Sequence, residues 1–236
     1  MNFYFLLEDE KSFLKVLPNW LEYMKFGYKR VADIQEVEEN NYVLQSGQGV
    51  TQLVTKVLFD TIDTIILNPG KIDKLVIILD AEELDVDERK KEVTEKINTH
   101  YNNQSIQFDI VILVCNRCFE TWLLGCKGLY PKANVEEDSF FYPYYKHYNI
   151  EMNDPEKMVV PKWAEETTAK YHFHYLHELL RYKKIRYSKN KPNNIATRPQ
   201  DGAPDACRHH RCAACDVLPV DGLRRTYGAV HLGGSD

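Results

Sequence analysis

Apolar residues recur along the chain in two spacings, and both carry information about the fold. Residues 2–7 and 74–79 are almost continuously apolar, as strands buried on both faces of a parallel sheet are. We predict further strands over residues 31–37 and 106–114, and helices over residues 12–26, 50–67, 88–101, 119–124 and 163–182. Strands that alternate with helices predict an α/β fold, here a Rossmann-like parallel sheet of about four strands flanked by helices, with a helical C-terminal extension.

The composition changes along the chain and divides it into three parts. We predict an α/β domain over residues 1–127 and an aromatic, helical extension over residues 128–191. Residues 1–191 contain 20 lysines and 5 arginines, whereas residues 192–236 contain no lysine and 5 arginines. This switch indicates a tail of different coding origin, from a frame change, a fusion or vector sequence. A natural, poorly ordered tail is the alternative.

The charge and hydropathy of the chain exclude some classes of protein. A formal net charge of -5 argues against a protein that coats nucleic acid through a positive surface. It does not exclude an enzyme that meets phosphates through bound metal ions, because the metal inverts the local field. No apolar stretch reaches the roughly 18 residues that a membrane span requires. We therefore predict a cytoplasmic protein with no membrane association and mostly reduced thiols.

Acidic residues follow two of the predicted strands. Glu8 comes directly after the first strand, and Asp80 and Glu82 come after the strand at residues 74–79. The carboxyl ends of parallel strands lie at one edge of the sheet, where ligands bind, so these carboxylates can converge. Oxygen ligands of this kind suit Mg²⁺ or Mn²⁺. Asp85 and Asp87 either add ligands or cap the helix that follows.

The order and spacing of these acids resemble the Toprim domain of topoisomerases, primases and related nucleases. That family has a glutamate after its first strand and an Asp-x-Asp pair after its third; this chain has Glu8 and Asp80-x-Glu82. The glycine that usually follows the first glutamate is Asp9 here. Residues 116–124 read Asn-Arg-Cys-Phe-Glu-Thr-Trp-Leu-Leu, and they are similar to a segment of small RloB-like and abortive-infection (OLD-type) Toprim proteins, with Arg117 in place of a proline.

The resemblance covers roughly residues 2–125 and implies a function. Those proteins act in bacterial defence against phage, often beside an ATPase partner, so the expected activity is a metal-dependent endonuclease that cleaves DNA or an RNA such as tRNA. Asp80 and Glu82 are then metal ligands, and Glu8 is a ligand or a general acid/base. Asn116 and Glu120 either complete this catalytic site or cap the next helix. The alternative is a non-catalytic Toprim-fold subunit that binds nucleic acid or senses a phage component; a homo-oligomer is compatible with both.

The predicted late helix carries basic and aromatic residues. Three histidines (His172, His174 and His177) lie on it, together with Tyr171 and Tyr175. The segment is either a solvated helix face or a nucleic-acid contact, in which cations meet phosphates and aromatic rings stack on bases. The candidate nucleic-acid-binding cations at its end are Lys183, Lys184 and Arg186.

The cysteines form two groups. Cys115 and Cys118 have the Cys-x-x-Cys spacing, but one such pair alone is weak evidence for zinc, and two small buried residues are the favoured interpretation. A denser Cys and His cluster lies in the tail, within residues 207–215, and its spacing is compatible with a tetrahedral zinc site. The change in composition of the tail argues against a native site there.

Overall fold

The computed structural model describes most of the first 186 residues and contains one parallel sheet at its centre. Five parallel strands lie in the order β2-β3-β1-β4-β5. The strands are β1 (Phe3–Leu7), β2 (Lys29–Arg30), β3 (Asn41–Ser46), β4 (Lys74–Asp80) and β5 (Asp109–Cys115). The described residues are 1–23, 27–102, 104–126, 129–131 and 133–186. The predicted α/β fold with a parallel sheet is confirmed, and the sheet has five strands rather than four.

One predicted strand is wrong and two strands escaped prediction. Residues 31–37 alternate apolar and polar side chains, but they form a turn and a short 3-10 helix at Ile34–Glu36. The side chain of Asp33 caps this helix by accepting a hydrogen bond from the backbone N–H of Gln35 at 2.8 Å. The strands missed are β2, which has two residues, and β3, which has polar ends and an apolar centre and pairs directly with β1.

Helices cover both faces of the sheet. The helices are α1 (Phe13–Tyr23), α2 (Val50–Gln52), which continues through a π-helical turn (Leu53–Val57) into α3 (Leu58–Ile66), α4 (Val86–Tyr101), α5 (Phe119–Leu124), α6 (Tyr142–His147) and α7 (Thr168–Tyr182). Alternate residues of β1 point to opposite faces. Phe3, Phe5 and Leu7 pack with α1, α5 and α7, whereas Tyr4 and Leu6 pack with α3 and α4.

The extension after residue 127 belongs to the same hydrophobic core. Tyr175, Leu176 and Leu179 of α7 are fully buried and pack with β1 and α5. The aromatic segment before α7 covers them, since Phe141 meets the Tyr175 ring edge-on at 5.4 Å between centroids. The predicted helix over residues 163–182 begins only at Thr168. The predicted tail over residues 192–236 lies outside the described residues.

The topology brings the ends of two central strands together. β1 lies between β3 and β4, although β3 separates it from β4 along the chain. The chain therefore crosses from one side of β1 to the other, and open α/β sheets bind ligands at such a crossing, beyond the carboxyl ends of the strands. Among the described helices, none combines the length and the apolar character that crossing a bilayer requires.

Candidate functional site

Glu8 and Asp80 meet at the carboxyl edge of the two central strands. Leu7 pairs with Ile78 in the register of β1 and β4, which puts Glu8 beside the end of β4. The backbone N–H of Glu8 donates to the carbonyl of Ile78 at 2.9 Å. In turn, Oε2 of Glu8 accepts a hydrogen bond from the backbone N–H of Asp80 at 2.6 Å. The predicted convergence of these two acids is therefore present in the fold.

The carboxyl group of Asp80 is buried and has a raised pKa. Its Oδ1 is shielded from solvent and has no hydrogen-bond partner within the described part of the chain. Burial raises the pKa of Asp80 well above its usual range, and the charges of Glu8 and Glu120 raise it further, against a lowering by the backbone N–H of Phe119. Buried polar atoms are nearly always paired, so an orphaned carboxylate oxygen indicates a missing proton or cation.

The carboxyl group of Glu8 also has a raised pKa. Burial raises the pKa of Glu8 from 4.5 to about 7. The hydrogen bond from the backbone of Asp80 and the charge of Arg89 lower this pKa, whereas Glu82 and Asp9 raise it. A divalent cation between two such carboxylates would remove the repulsion that keeps them from ionising together.

Glu82 is near this pair but is directed elsewhere. Its side chain is half-exposed, and its Oε2 lies 3.9 Å from a terminal guanidinium nitrogen of Arg89. Its backbone is in the left-handed region, with φ of 53°, and its N–H donates to the carbonyl of Arg117 at 2.7 Å. Among the residues described, no three Asp, Glu, His or Cys side chains are grouped as metal ligands. Two of the three predicted ligands, Glu8 and Asp80, are thus together, and Glu82 stands apart.

Glu120 and Asn116 follow β5, at the same edge. Glu120 is buried in the first turn of α5, and its charge contributes to the raised pKa of Asp80. The cap of α5 is Cys118 rather than Asn116. The amide of Asn116 instead donates to the carbonyl of Glu156 at 3.3 Å, and so ties the strand end to the extension. The helix-capping interpretation of Asn116 is wrong.

The donor set fits a small divalent cation. Mg²⁺ is commonly held by one or two carboxylates and keeps several waters, so Glu8 and Asp80 suffice as protein ligands. The Oδ1 of Asp80 is the observation that supports this, because it is a buried carboxyl oxygen with no hydrogen-bond partner among the residues described. Nitrogen or sulfur ligands that would favour zinc are not part of the pair.

No known family identifies this chain. No protein family, no curated protein and no solved structure matches it. The Toprim resemblance therefore stays a prediction, carried by Glu8, Asp80, Glu82 and residues 116–124. What the fold adds is the proximity of the first two acids, which lie 72 residues apart along the chain.

Other acidic residues and the cysteines near the site have structural roles, as helix caps or as core residues. Asp85 is the N-cap of α4 in a capping box with Glu88, which confirms the capping alternative for this residue. Asp9 accepts hydrogen bonds from the backbone N–H groups of Ser12 and Phe13 at the start of α1. Cys115 and Cys118 are buried thiols, as expected of small core residues.

The late helix is a core element rather than an exposed basic face. Tyr171 and Tyr175 are fully buried, so the prediction that they are available to stack on bases is wrong. The Nζ of Lys183 donates to the carbonyl of Tyr130 at 3.2 Å, which anchors it to the extension. Lys184 and Arg186 are exposed beyond the end of α7. Of the three candidate nucleic-acid-binding cations, Lys184 and Arg186 are therefore exposed.

The histidines of α7 have structural partners. His172 is fully buried; its Nε2 lies 2.9 Å from the carbonyl of Met158, and its Nδ1 lies 2.8 Å from the hydroxyl of Thr121. Because a carbonyl only accepts, Nε2 carries the hydrogen and Nδ1 accepts from Thr121. Burial lowers the pKa of His172, so the ring is neutral. His174 lies 2.7 Å from Glu166.

Sequence reasoning missed two features of the site. One is Arg89, a buried cation beside the acids, which nothing in the run Glu88-Arg89-Lys90-Lys91 distinguishes from solvated charges. The other is the loop after β3, where the backbone N–H of Gly49 donates to the carbonyl of Glu8 at 2.7 Å. A Cβ at Gly47 would lie 2.7 Å from Leu53, so this loop packs too closely for a side chain there.

Proposed function

We propose that this chain is a Mg²⁺- or Mn²⁺-dependent endonuclease that hydrolyses phosphodiester bonds in DNA or in an RNA such as tRNA. The observation that carries the proposal is the Glu8–Asp80 pair, with a buried and unpartnered Oδ1 on Asp80, at the carboxyl edge of the central strands. The Toprim-like order of Glu8, Asp80 and Glu82 supports the same conclusion. Acids with shared burial and perturbed pKa values are typical of functional sites.

Each acid has a role in this mechanism. When bound, the cation would orient water and stabilise negative charge on the scissile phosphate. Asp80 would hold it through the oxygen that has no other partner, and Glu82 is the candidate third ligand. Because the pKa of Glu8 is about 7, this side chain can accept or release a proton near neutral pH, as a general acid/base requires. The charge of Glu120 raises the pKa of Asp80.

The biological setting of the proposal comes from the resemblance alone. Small Toprim proteins of the RloB-like and abortive-infection classes act against phage, and many work beside an ATPase. We accordingly include an ATPase partner in the proposal, as the protein that controls when cleavage occurs. Co-purification of an ATPase with the tagged chain from its native cells is the measurement that checks this part.

A second candidate is a non-catalytic subunit that binds nucleic acid or senses a phage component. The observation that favours it is the position of Glu82, which faces Arg89, so that among the residues described no third side chain is grouped with Glu8 and Asp80 as a metal ligand. On this alternative, metal or nucleic acid binds without turnover, and cell toxicity appears only when the partner protein is present.

Cleavage of labelled plasmid DNA and total tRNA with Mg²⁺ or Mn²⁺ tests the proposal. Asp80→Asn and Glu8→Gln remove one negative charge each while keeping side-chain shape. Asp109→Asn is the matched control, because this carboxylate lies at the other end of β5, 3.6 Å from Lys74. We expect cleavage by the wild type and by Asp109→Asn, and a loss of at least about a hundredfold in the other two variants. Metal binding without cleavage of either substrate would favour the second candidate.

A further inference from the structure

Arg89 is a buried cation within the first turns of α4. The residue is 7% exposed, and its Nε is buried without a hydrogen-bond partner among the residues described. One terminal nitrogen lies 2.5 Å from Glu92, and the other donates to the carbonyl of Ala81 at 3.4 Å. Burying a guanidinium is costly unless acids surround it, and the acids here are Glu92 on the same helix and Glu82 of the candidate site.

The contact between Arg89 and Glu82 is loose. The two side chains are 3.9 Å apart at their closest charged atoms, and half of the Glu82 side chain is in solvent. An ion pair at this distance, with one partner half in solvent, is a weak contact. If Glu82 left, Arg89 would keep Glu92 and the carbonyl of Ala81, so no charge would be stranded.

The backbone beneath Glu82 is held much more firmly than its side chain. Glu82 and Arg117 both have left-handed backbones, with φ of 53° and 73°, and they are joined by the 2.7 Å hydrogen bond from the N–H of Glu82. The guanidinium of Arg117 also donates to the carbonyl of Leu84 at 3.0 Å. Non-glycine residues in this conformation are strained and concentrate at functional sites. Only the side chain of Glu82 is therefore available to move.

We propose that Arg89 is a positioning residue that keeps Glu82 off the Glu8–Asp80 pair until a divalent cation binds, when Glu82 exchanges Arg89 for the cation. This inference rests on the proposed metal site and specifies how its third ligand is supplied. The exchange gives up a weak, half-solvated ion pair, and it adds a third carboxylate oxygen to the two already present. Arg89 thereby lowers the affinity of the site for metal by the strength of its contact with Glu82.

A double-mutant cycle on metal affinity separates this exchange from simple charge repulsion. Mn²⁺ binding is measured by the loss of the free-ion electron paramagnetic resonance signal for the wild type, Arg89→Met, Glu82→Gln and the double variant. We expect Arg89→Met to tighten Mn²⁺ binding by about two- to fivefold, the factor that corresponds to releasing an ion pair of this kind. Glu82→Gln weakens binding, and in that background Arg89→Met has no further effect beyond about twofold. Lys91→Met is the control, because it removes an exposed charge on the same helix.

Other outcomes contradict the inference in distinguishable ways. An equal gain in both backgrounds would mean that Arg89 acts through space and not through Glu82. A crystal structure with Mn²⁺ bound offers a test that needs no Arg89 variant: Glu82 must have left Arg89, and a retained contact overturns the exchange. Absence of Mn²⁺ binding by the wild type would overturn both proposals, whereas Mn²⁺ binding without nucleic-acid cleavage would contradict the nuclease alone.

Discussion

The molecule buries titratable groups in two regions, and their surroundings differ. Between α5 and α7, His172 has both ring nitrogens hydrogen bonded, to Thr121 and to the carbonyl of Met158. At the carboxyl edge of the sheet, Asp80 buries an oxygen that has no partner in the described part of the chain, and its neighbour is another acid, Glu8. Both groups are shielded from water, but His172 has its two ring nitrogens paired, whereas one oxygen of Asp80 has no partner among the residues described.

This difference separates a structural role from a functional one. His172 is neutral and paired, so its burial costs little and it fixes α7 against α5. Glu8 and Asp80 repel each other when both are ionised, so a proton or a cation must neutralise part of their charge, and Arg89 is a cation that lowers the pKa of Glu8. This arrangement supports the proposed binding of a cation by Glu8 and Asp80.

The largest change in stability that we expect from this comparison follows the substitution of His172. His172→Ala removes two buried hydrogen bonds and leaves the carbonyl of Met158 without its donor, so we expect a loss of about 3–5 kcal/mol in the free energy of unfolding. Urea denaturation measures it. Mn²⁺ affinity should not change in the folded protein. His174→Ala, at a half-exposed position, is the control and should cost under about 1 kcal/mol; equal costs for the two would break the comparison.

The two regions should also respond to pH with opposite sign. Because the folded pKa of Glu8 is raised from 4.5 to about 7, its contribution is largest below pH 4.5 and is lost as pH rises towards 7, by about 3 kcal/mol. The lowered pKa of His172 means that its contribution is present above pH 6.5 and is lost as pH falls below it.

Denaturation between pH 4.5 and 8 tests this expectation in metal-free buffer. Glu8→Gln should flatten the decline towards high pH and leave the decline on the acid side in place. Asp109→Asn, remote from the pair, should retain both limbs of the wild-type profile. If the free energy of unfolding of Glu8→Gln varied with pH in parallel with that of the wild type, Glu8 would not be destabilised by ionisation in the folded state.

The smallest effect concerns the acids that only look like ligands. Asp85 caps α4, and Asp85→Ala should lower the free energy of unfolding by about 1 kcal/mol without changing Mn²⁺ affinity. Asp87→Ala, in the same turn but outside the cap, should cost less than Asp85→Ala. Thermal unfolding and Mn²⁺ titration of both variants check this; weaker metal binding by Asp85→Ala would place Asp85 in the site.

Part of the fold could be predicted because burial on both faces leaves a clear pattern. β1, β4 and β5 are nearly continuous apolar runs, and each was predicted. β3 was missed because its polar ends, Asn41 and Ser46, break that pattern, and residues 31–37 misled because a turn capped by Asp33 also alternates apolar and polar residues. The secondary structure of short segments near the edge of the sheet depends on helix caps and strand pairing rather than on the periodicity of apolar residues.

The site could be predicted only in part, for a similar reason. Glu8 and Asp80 each follow a central strand, and parallel strands end at one edge, so their proximity followed once both strands were recognised. The direction of the Glu82 side chain depends on a left-handed backbone and on Arg89, which is one of several similar charges along a helix. Side-chain directions that depend on tertiary contacts of this kind cannot be predicted from the periodicity of the sequence.

The most direct test of the account is thermal unfolding at pH 8 of the wild type, Asp80→Asn and Asp109→Asn, with and without Mn²⁺. Without metal, we expect Asp80→Asn to unfold at a higher temperature than the wild type, because the substitution removes the like-charge repulsion with Glu8. Added Mn²⁺ should raise the unfolding temperature of the wild type and of Asp109→Asn but not of Asp80→Asn. A destabilised Asp80→Asn, together with the same response to Mn²⁺ in all three proteins, would contradict a metal site built on this pair.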